Sequence, residues 1–326
     1  MSETNLVIGI PSKGRLQENT NEFFKRAGLP VLQPGGARNY RGQLGGLPGV
    51  EVAFLSASEI TKEIASGNVH FGVTGLDLVQ ETIPGFAEKV HLVTELGFGF
   101  ADVVVAVPMA WIDTAAMADV ADIAAEFRRR HGHQLRVATK YVNLTRRFFA
   151  EHGISDYRIV ESLGATEGAP ASGAAEAIVD ITTTGSTLAA NNLKIIADGV
   201  ILKSQAHLVA GLAADWSATA RAQARAILDR VAAEATARSI REVRAHVPDR
   251  SKAAAAAARF GTVSPFGSSD GAGMLTLHVP TKLVADVATA LRAEGAPVVA
   301  VRTLEYVFQD QNRLADALEA RLAPGL

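Results

Sequence analysis

Residues 177–192 read AIVDITTTGSTLAANN. A short apolar, strand-like run carries one carboxylate, Asp180, near its end. Hydroxyl side chains then gather around the single Gly185 before the stretch becomes helix-like. Strand, Gly- and Thr-containing turn, helix: in that order they make one α/β unit. The same alternation continues outward from it. Residues 6–10, 50–54, 71–73, 103–107, 135–138 and 177–181 read as strands, several bounded by Gly or Pro. Residues 16–27, 59–66 and 117–131 read as amphipathic helices between them. Strands alternating with helices predict mostly parallel sheets, with ligands held beyond the carboxyl ends of the strands.

After residue 215 the texture changes. Residues 216–245 form a long Ala- and Arg-rich helical stretch, overlapping a strand-like run at 240–247. A helix at 251–259 follows, containing the alanines from Ala253 to Ala258, since Ala is the best helix former. Then come strands at 262–265 and 273–279, a helix at 282–293 and a strand at 298–301. That βαββαβ order predicts a small ferredoxin-like unit. Residues 310–326 read as a helical tail.

The chain has 326 residues, is 48% hydrophobic and carries a net charge of −2. A sizeable core is possible, and no basic excess marks a nucleic-acid binder. With no cysteine there is no disulfide framework and no thiolate zinc site. The first residues show no basic-then-apolar leader, and no apolar run reaches the ~18 residues of a membrane span. The expectation is a cytoplasmic protein with no membrane and no nucleic-acid partner.

Chemistry is sought after each strand. Asp180 followed by Thr183, Thr184, Gly185, Ser186 and Thr187 offers an anion cradle, with glycine allowing close backbone approach and hydroxyls adding donors. A carboxylate beside such a cradle would repel a bare phosphate. It suits a ligand that also presents vicinal hydroxyls, such as a ribose 5-phosphate. Helix capping by Thr and Ser is the simpler reading, but five hydroxyl residues around the glycine exceed what a cap needs. In IPSKGRL, Lys13 and Arg15 flank Gly14 where a helix begins, two cations suited to a polyphosphate or simply solvated. Thr74 and Asp77 in GVTGLDLVQE, Arg38 and Arg41 in RNYRG, Glu167 in GATEGAP and Lys140 in ATKYVNLTRRFF suit ligand contacts or ordinary caps and loops equally. None of the eight histidines has metal-ligand spacing, and neither a GxSxG elbow nor a Walker P-loop occurs.

Taken in order along the chain, IPSKGRL, RNYRG, GVTGLDLVQE, RVATKYVNLTRRFF, GATEGAP, AIVDITTTGSTLAANNL and LKSQAHLV resemble the ATP phosphoribosyltransferases of histidine biosynthesis, in the long form with a C-terminal regulatory domain. The resemblance covers roughly residues 5–215 well and the C-terminal unit by element order. It implies a catalytic core similar to the type II periplasmic binding proteins, with domain I from 1–102 and 206–238, domain II from 103–205, and a regulatory unit from 239–326. It also implies phosphoribosyl transfer from phosphoribosyl pyrophosphate to N1 of ATP, with Mg²⁺ as cofactor, histidine as an effector and a homo-oligomer, dimer or hexamer. On this resemblance Asp180 and residues 183–187 hold the ribose 5-phosphate, and Lys13 and Arg15 face phosphates or pyrophosphate. Glu167 and Asp77 lie in the same cleft, and Arg38, Arg41, Thr74 and Lys140 stand towards ATP. The chain departs from the family pattern in its loop SPFGSSDGAG and in ending on LEYV and a tail, where the family has a short IEKM-like end. Three other readings remain: a binding or sensing protein of the same two-lobed fold without catalysis, a non-catalytic regulatory subunit with a ligand-sensing C-terminal domain, and a phosphoribosyltransferase of the commoner class. The last tends to carry two adjacent acids before its Thr-Gly turn, where this chain has Asp180 alone.

Overall fold

The structure, a computed structural model, describes residues 4–34, 40–162, 164–267 and 273–323. Three sheets carry the chain. Across the first run the strands Val31–Leu32, Arg41–Leu44, Glu51–Leu55, Val7–Pro11, Phe71–Gly75, Ala206–Gly211 and Val90–Glu95. Its centre is parallel: Val7–Pro11 pairs in parallel with Glu51–Leu55 on one side and Phe71–Gly75 on the other. These strands are buried on both faces, which is why they read as continuous apolar runs. The helix Ala57–Ala65 starts on a capping box, in which the Ser56 hydroxyl accepts from the Glu59 N–H and the Glu59 carboxylate accepts from the Ser56 N–H.

The second sheet has the order Leu193–Ser204, Ala101–Pro108, Ala177–Thr182, Leu135–Thr139, Tyr157–Glu161. Ala177–Thr182 and Leu135–Thr139 are parallel neighbours, so Thr183 and Lys140 leave the sheet at the same edge. The chain crosses between the two lobes twice, once from Val90–Glu95 to Ala101–Pro108 and once back from Leu193–Ser204 to Ala206–Gly211. The crossings lie side by side: Ala206 N–H donates to the Phe98 carbonyl at 2.9 Å, and Leu96 N–H to the Ala206 carbonyl at 2.9 Å. This is the two-lobed α/β core expected from the resemblance.

The third sheet, in the order Met274–Pro280, Ile240–His246, Val299–Arg302, is antiparallel throughout. The helices Arg250–Ala258 and Val284–Ala293 close its core around Val243, Leu277, Val287 and Leu291. The expected strand at 262–265 shrinks to one bridge, Val263 with His278. It sits where the second strand of a ferredoxin-like sheet belongs, and Pro265, which has no N–H to give, keeps the ladder from lengthening. The expected helix over 216–245 stops earlier: Ser217 caps a helix Ala218–Ser239, and the chain turns directly into Ile240–His246.

The tail goes back to the first lobe. Tyr306 hydroxyl donates to the Arg26 carbonyl and Val307 N–H to the Ala233 carbonyl. Asn312 caps the helix Arg313–Leu322, whose Ala315 and Leu318 are buried in the first lobe's core. Arg221–Glu319 and Arg225–Asp316 flank that contact. No helix among the described residues is long and apolar enough to cross a membrane.

Candidate functional site

The strand Ala177–Thr182 ends in a turn that closes on itself. Gly185 has φ 74°, the left-handed region that glycine tolerates, and its N–H donates to the Thr182 hydroxyl at 2.8 Å. Thr184 and Ser186 hydroxyls meet at 2.9 Å, and the Thr183 hydroxyl donates to the Phe100 carbonyl, tying the loop to an interlobe crossing. The helix that comes next, Ser186–Ala190, has only five residues. Its macrodipole is correspondingly small, so any anion here would meet loop hydroxyls and local N–H groups more than the helix end.

A cavity of about 440 Å³ opens over this loop, lined by Lys140, Glu167, Asp180, Thr182, Thr184 and Thr187 among others. Thr183 and Ser186 also line it, and Gly185 forms the turn between them. Glu167 enters from the short turn Thr166–Gly168, set up by Ala165 at φ 50°. Asp180 Oδ1 accepts the N–H of Ile181 at 2.8 Å. Burial, foremost, holds the Asp180 carboxyl above the ordinary Asp value; the Ile181 N–H and the Lys140 charge oppose this, and the Glu167 charge adds to it. Two carboxylates, one ammonium and a ring of hydroxyls therefore face one polar space. Thr182, one of the five hydroxyl residues around the glycine though not among those expected at the phosphate, lines the cavity as well.

Other expected site residues lie elsewhere. Lys13 and Arg15 are exposed at the start of the helix Gly14–Arg26 and do not line the cavity. That helix nonetheless abuts the crossing, since a Cβ on Gly99 would stand 3.3 Å from the Leu16 side chain. Arg41 is exposed and ion-paired with Glu51 at 3.6 Å. Arg38 falls outside the described residues. Thr74 is fully buried, and its hydroxyl donates to the Ala57 carbonyl at 3.2 Å.

Asp77 stands at the contact between the two lobes. It is 6% exposed, and its carboxylate is occupied by protein donors: the Tyr141 hydroxyl on Oδ2 at 2.8 Å and the Ser204 hydroxyl on Oδ1 at 2.8 Å. Ser204 in turn accepts the Asp77 N–H. Next to it Glu81 accepts from the N–H groups of Asn143 and Leu144, both at 2.9 Å, capping the helix Val142–Glu151 of the other lobe. The short helix Leu76–Thr82 thus pins the second lobe to the first. A larger cavity, about 990 Å³, lies between the third sheet, the helix Ala218–Ser239 and residues 304–314, away from this chemistry. Among the described residues no group of three or more His, Asp or Glu could hold a metal ion.

With this geometry in hand, comparison with known proteins is decisive. A model of the ATP phosphoribosyltransferase family matches residues 56–233. The chain is 56% identical to the ATP phosphoribosyltransferase of Afipia carboxidovorans over 321 residues, covering 98% of this chain and 99% of that protein. The chain belongs to the ATP phosphoribosyltransferase family. Another member, from Bradyrhizobium diazoefficiens, is 57% identical over 97% of this chain and 98% of its own length. Among solved structures, the HisG:HisZ complex of ATP phosphoribosyl transferase from Thermotoga maritima aligns with a TM-score of 0.54 at 23% identity, over 70% of this chain and 96% of that one, and shows the shared fold. The activity of the ATP phosphoribosyltransferase family is transfer of a phosphoribosyl group to ATP, the first step of histidine biosynthesis.

Proposed function

We propose that the cavity over residues 180–187 is where this chain holds its phosphoribosyl donor. The observation that carries the reading is that Asp180, Glu167, Lys140 and the hydroxyl loop line one 440 Å³ space. Asp180 accepts from the ribose hydroxyls, and the loop, Thr182 included, cradles the 5-phosphate. Lys140 on this lobe and the exposed Lys13 and Arg15 on the other neutralise phosphate and departing pyrophosphate. ATP approaches from the first lobe, on the side of Arg41.

The displacement forms a bond from adenine N1 to the anomeric carbon and breaks that carbon's bond to pyrophosphate, which carries away the electron pair. The nucleophile is a ring nitrogen with a lone pair, so no side chain has to activate it. The protein contributes orientation and charge stabilisation. Asp180 and Glu167, two carboxylates lining one cavity, would hold Mg²⁺, a cation suited to one or two protein carboxylates. When bound, Mg²⁺ supplies positive charge against the pyrophosphate. The same reading takes the division at 102/103, 205/206 and 238/239 as the domain plan, a homo-oligomer as the working form, the cytoplasm as its place, and histidine as effector of the C-terminal unit.

The test is to incubate the purified chain with ATP, phosphoribosyl pyrophosphate and Mg²⁺ and to look for phosphoribosyl-ATP. Product formation that requires all three is expected. A folded protein that binds either ligand and makes no product would instead favour the binding or sensing alternative, which the enzyme relatives do not favour.

A further inference from the structure

Lys140 stands on an unusual footing. It sits between the end of Leu135–Thr139 and the start of Val142–Glu151, and the backbone on either side is clamped. Tyr141 N–H donates to the Thr139 hydroxyl at 2.8 Å, and the Thr145 hydroxyl donates to the Tyr141 carbonyl at 2.6 Å. Tyr141 itself is 1% exposed, yet its ring lies 5.0 Å from the Lys140 ammonium, a cation–π contact that restricts where the ammonium can point. Its hydroxyl reaches across the seam to Asp77, whose other oxygen is held by Ser204. The approach is close: a Cβ on Gly75 would lie 2.2 Å from Asp77 Oδ1, so only glycine leaves room for the carboxylate in this position. Burial first, then the Asp77 charge and hydrogen bond, then the more distant Asp180 and Glu81, push the Tyr141 phenol far above its ordinary value, so it stays a neutral donor. Every link in this chain, from Asp77 through Tyr141 to Lys140 and the cavity, is a direct contact.

We infer that Tyr141, held by Asp77 and Ser204 of the interlobe seam, is a positioning residue that aims Lys140 into the phosphoribosyl cleft. The ammonium reaches its place only while the two lobes are locked at this seam, so seam and cleft act as one unit. Asp77, placed by its motif among ligand residues, instead serves the reaction through two other side chains. The inference rests on the donor-cleft reading, in which Lys140 meets phosphate.

A double-mutant cycle on the full-length chain tests it. The readouts are the Kd for phosphoribosyl pyrophosphate by calorimetry with Mg²⁺ present, kcat, and Tm as a folding control. Tyr141→Phe keeps the ring and removes only the bond to Asp77. It is expected to weaken donor binding and lower kcat tenfold or more, with the KM for ATP within twofold of wild type. In a Lys140→Ala background the same change should alter the donor Kd less than twofold, because there is no ammonium left to aim. An equal loss in both backgrounds, or wild-type donor binding and kcat in Tyr141→Phe, would overturn the inference. Should Tyr141→Phe fail to fold, Ser204→Ala, which frees the other Asp77 oxygen, runs through the same cycle with the same criterion. Lys140→Ala separates the two claims. If it binds donor and turns over like wild type, the placement of Lys140 in the cleft fails and the inference with it. If it is impaired while Tyr141→Phe acts independently of it, only the inference fails.

Discussion

Replacing Asp180 by Asn keeps the side chain's size and removes its charge. Oδ1 already accepts the Ile181 N–H at 2.8 Å. In the variant the amide oxygen keeps that bond, so the NH₂ group turns towards the cleft as a donor where the ligand's hydroxyls need an acceptor. Two hydrogen bonds to a charged acceptor are lost, and at about 1.5 kcal/mol each donor binding weakens by about 3 kcal/mol. That corresponds to roughly 150-fold in Kd. ATP, which does not meet Asp180, should bind within about threefold of wild type, a difference below 1 kcal/mol.

Stability moves the other way. Burial, the leading cause, raises the Asp180 carboxyl above its ordinary value. A carboxyl raised on folding contributes stability that is fully present below its unfolded value and is lost as pH rises through the folded value. At neutral pH the wild-type chain thus carries a desolvated charge that the variant lacks. Asp180→Asn should therefore have the higher Tm at pH 7, with the gain vanishing below about pH 4, where the wild-type group is protonated in both states. Donor affinity of the wild type should also fall on acidification at a higher pH than an ordinary aspartate would give. Calorimetric titration with each ligand and differential scanning calorimetry across pH read all of this. Equal weakening of donor and ATP, or an unchanged donor Kd, would refute the role of Asp180.

Two further outcomes come from the packing. Glu81→Ala strips the cap from Val142–Glu151 and leaves the Asn143 and Leu144 N–H groups without their acceptor, which should cost about 3 kcal/mol and show as a lower denaturation midpoint in urea. Leu318, 2% exposed in the first lobe's core, should cost about 2–5 kcal/mol when changed to Ala; a loss below 0.5 kcal/mol, within the scatter of surface changes, would mean that the tail does not belong to that lobe's core in solution.

Much of the fold was legible because apolar runs bounded by Gly or Pro mark buried parallel strands, and Ala177–Thr182 with its turn is the clearest example. That Asp180 and the hydroxyl loop would line one cavity was legible for the same reason, since strand end, glycine and hydroxyls are neighbours in sequence. The seam was not. Asp77 and Tyr141 are 64 residues apart, and GVTGLD reads alike whether its carboxylate meets a ligand or a buried phenol. Thr74 could not be placed from sequence, because a hydroxyl after a strand is as ready to bond a carbonyl as a substrate. The strand at 262–265 was over-read, as propensity in a four-residue run says nothing about Pro265 ending the ladder. The helical tail read over 310–326 contains the helix Arg313–Leu322, but which lobe it packs on was not legible, because a helical pattern names no partner.

The most direct measurement is a crystal structure of this chain with phosphoribosyl pyrophosphate and Mg²⁺. The account predicts the 5-phosphate within hydrogen-bond reach of residues 182–187, with the ribose hydroxyls on the Asp180 carboxylate. A 5-phosphate seated at Lys13 and Arg15 instead, with Asp180 free of the sugar, would contradict it.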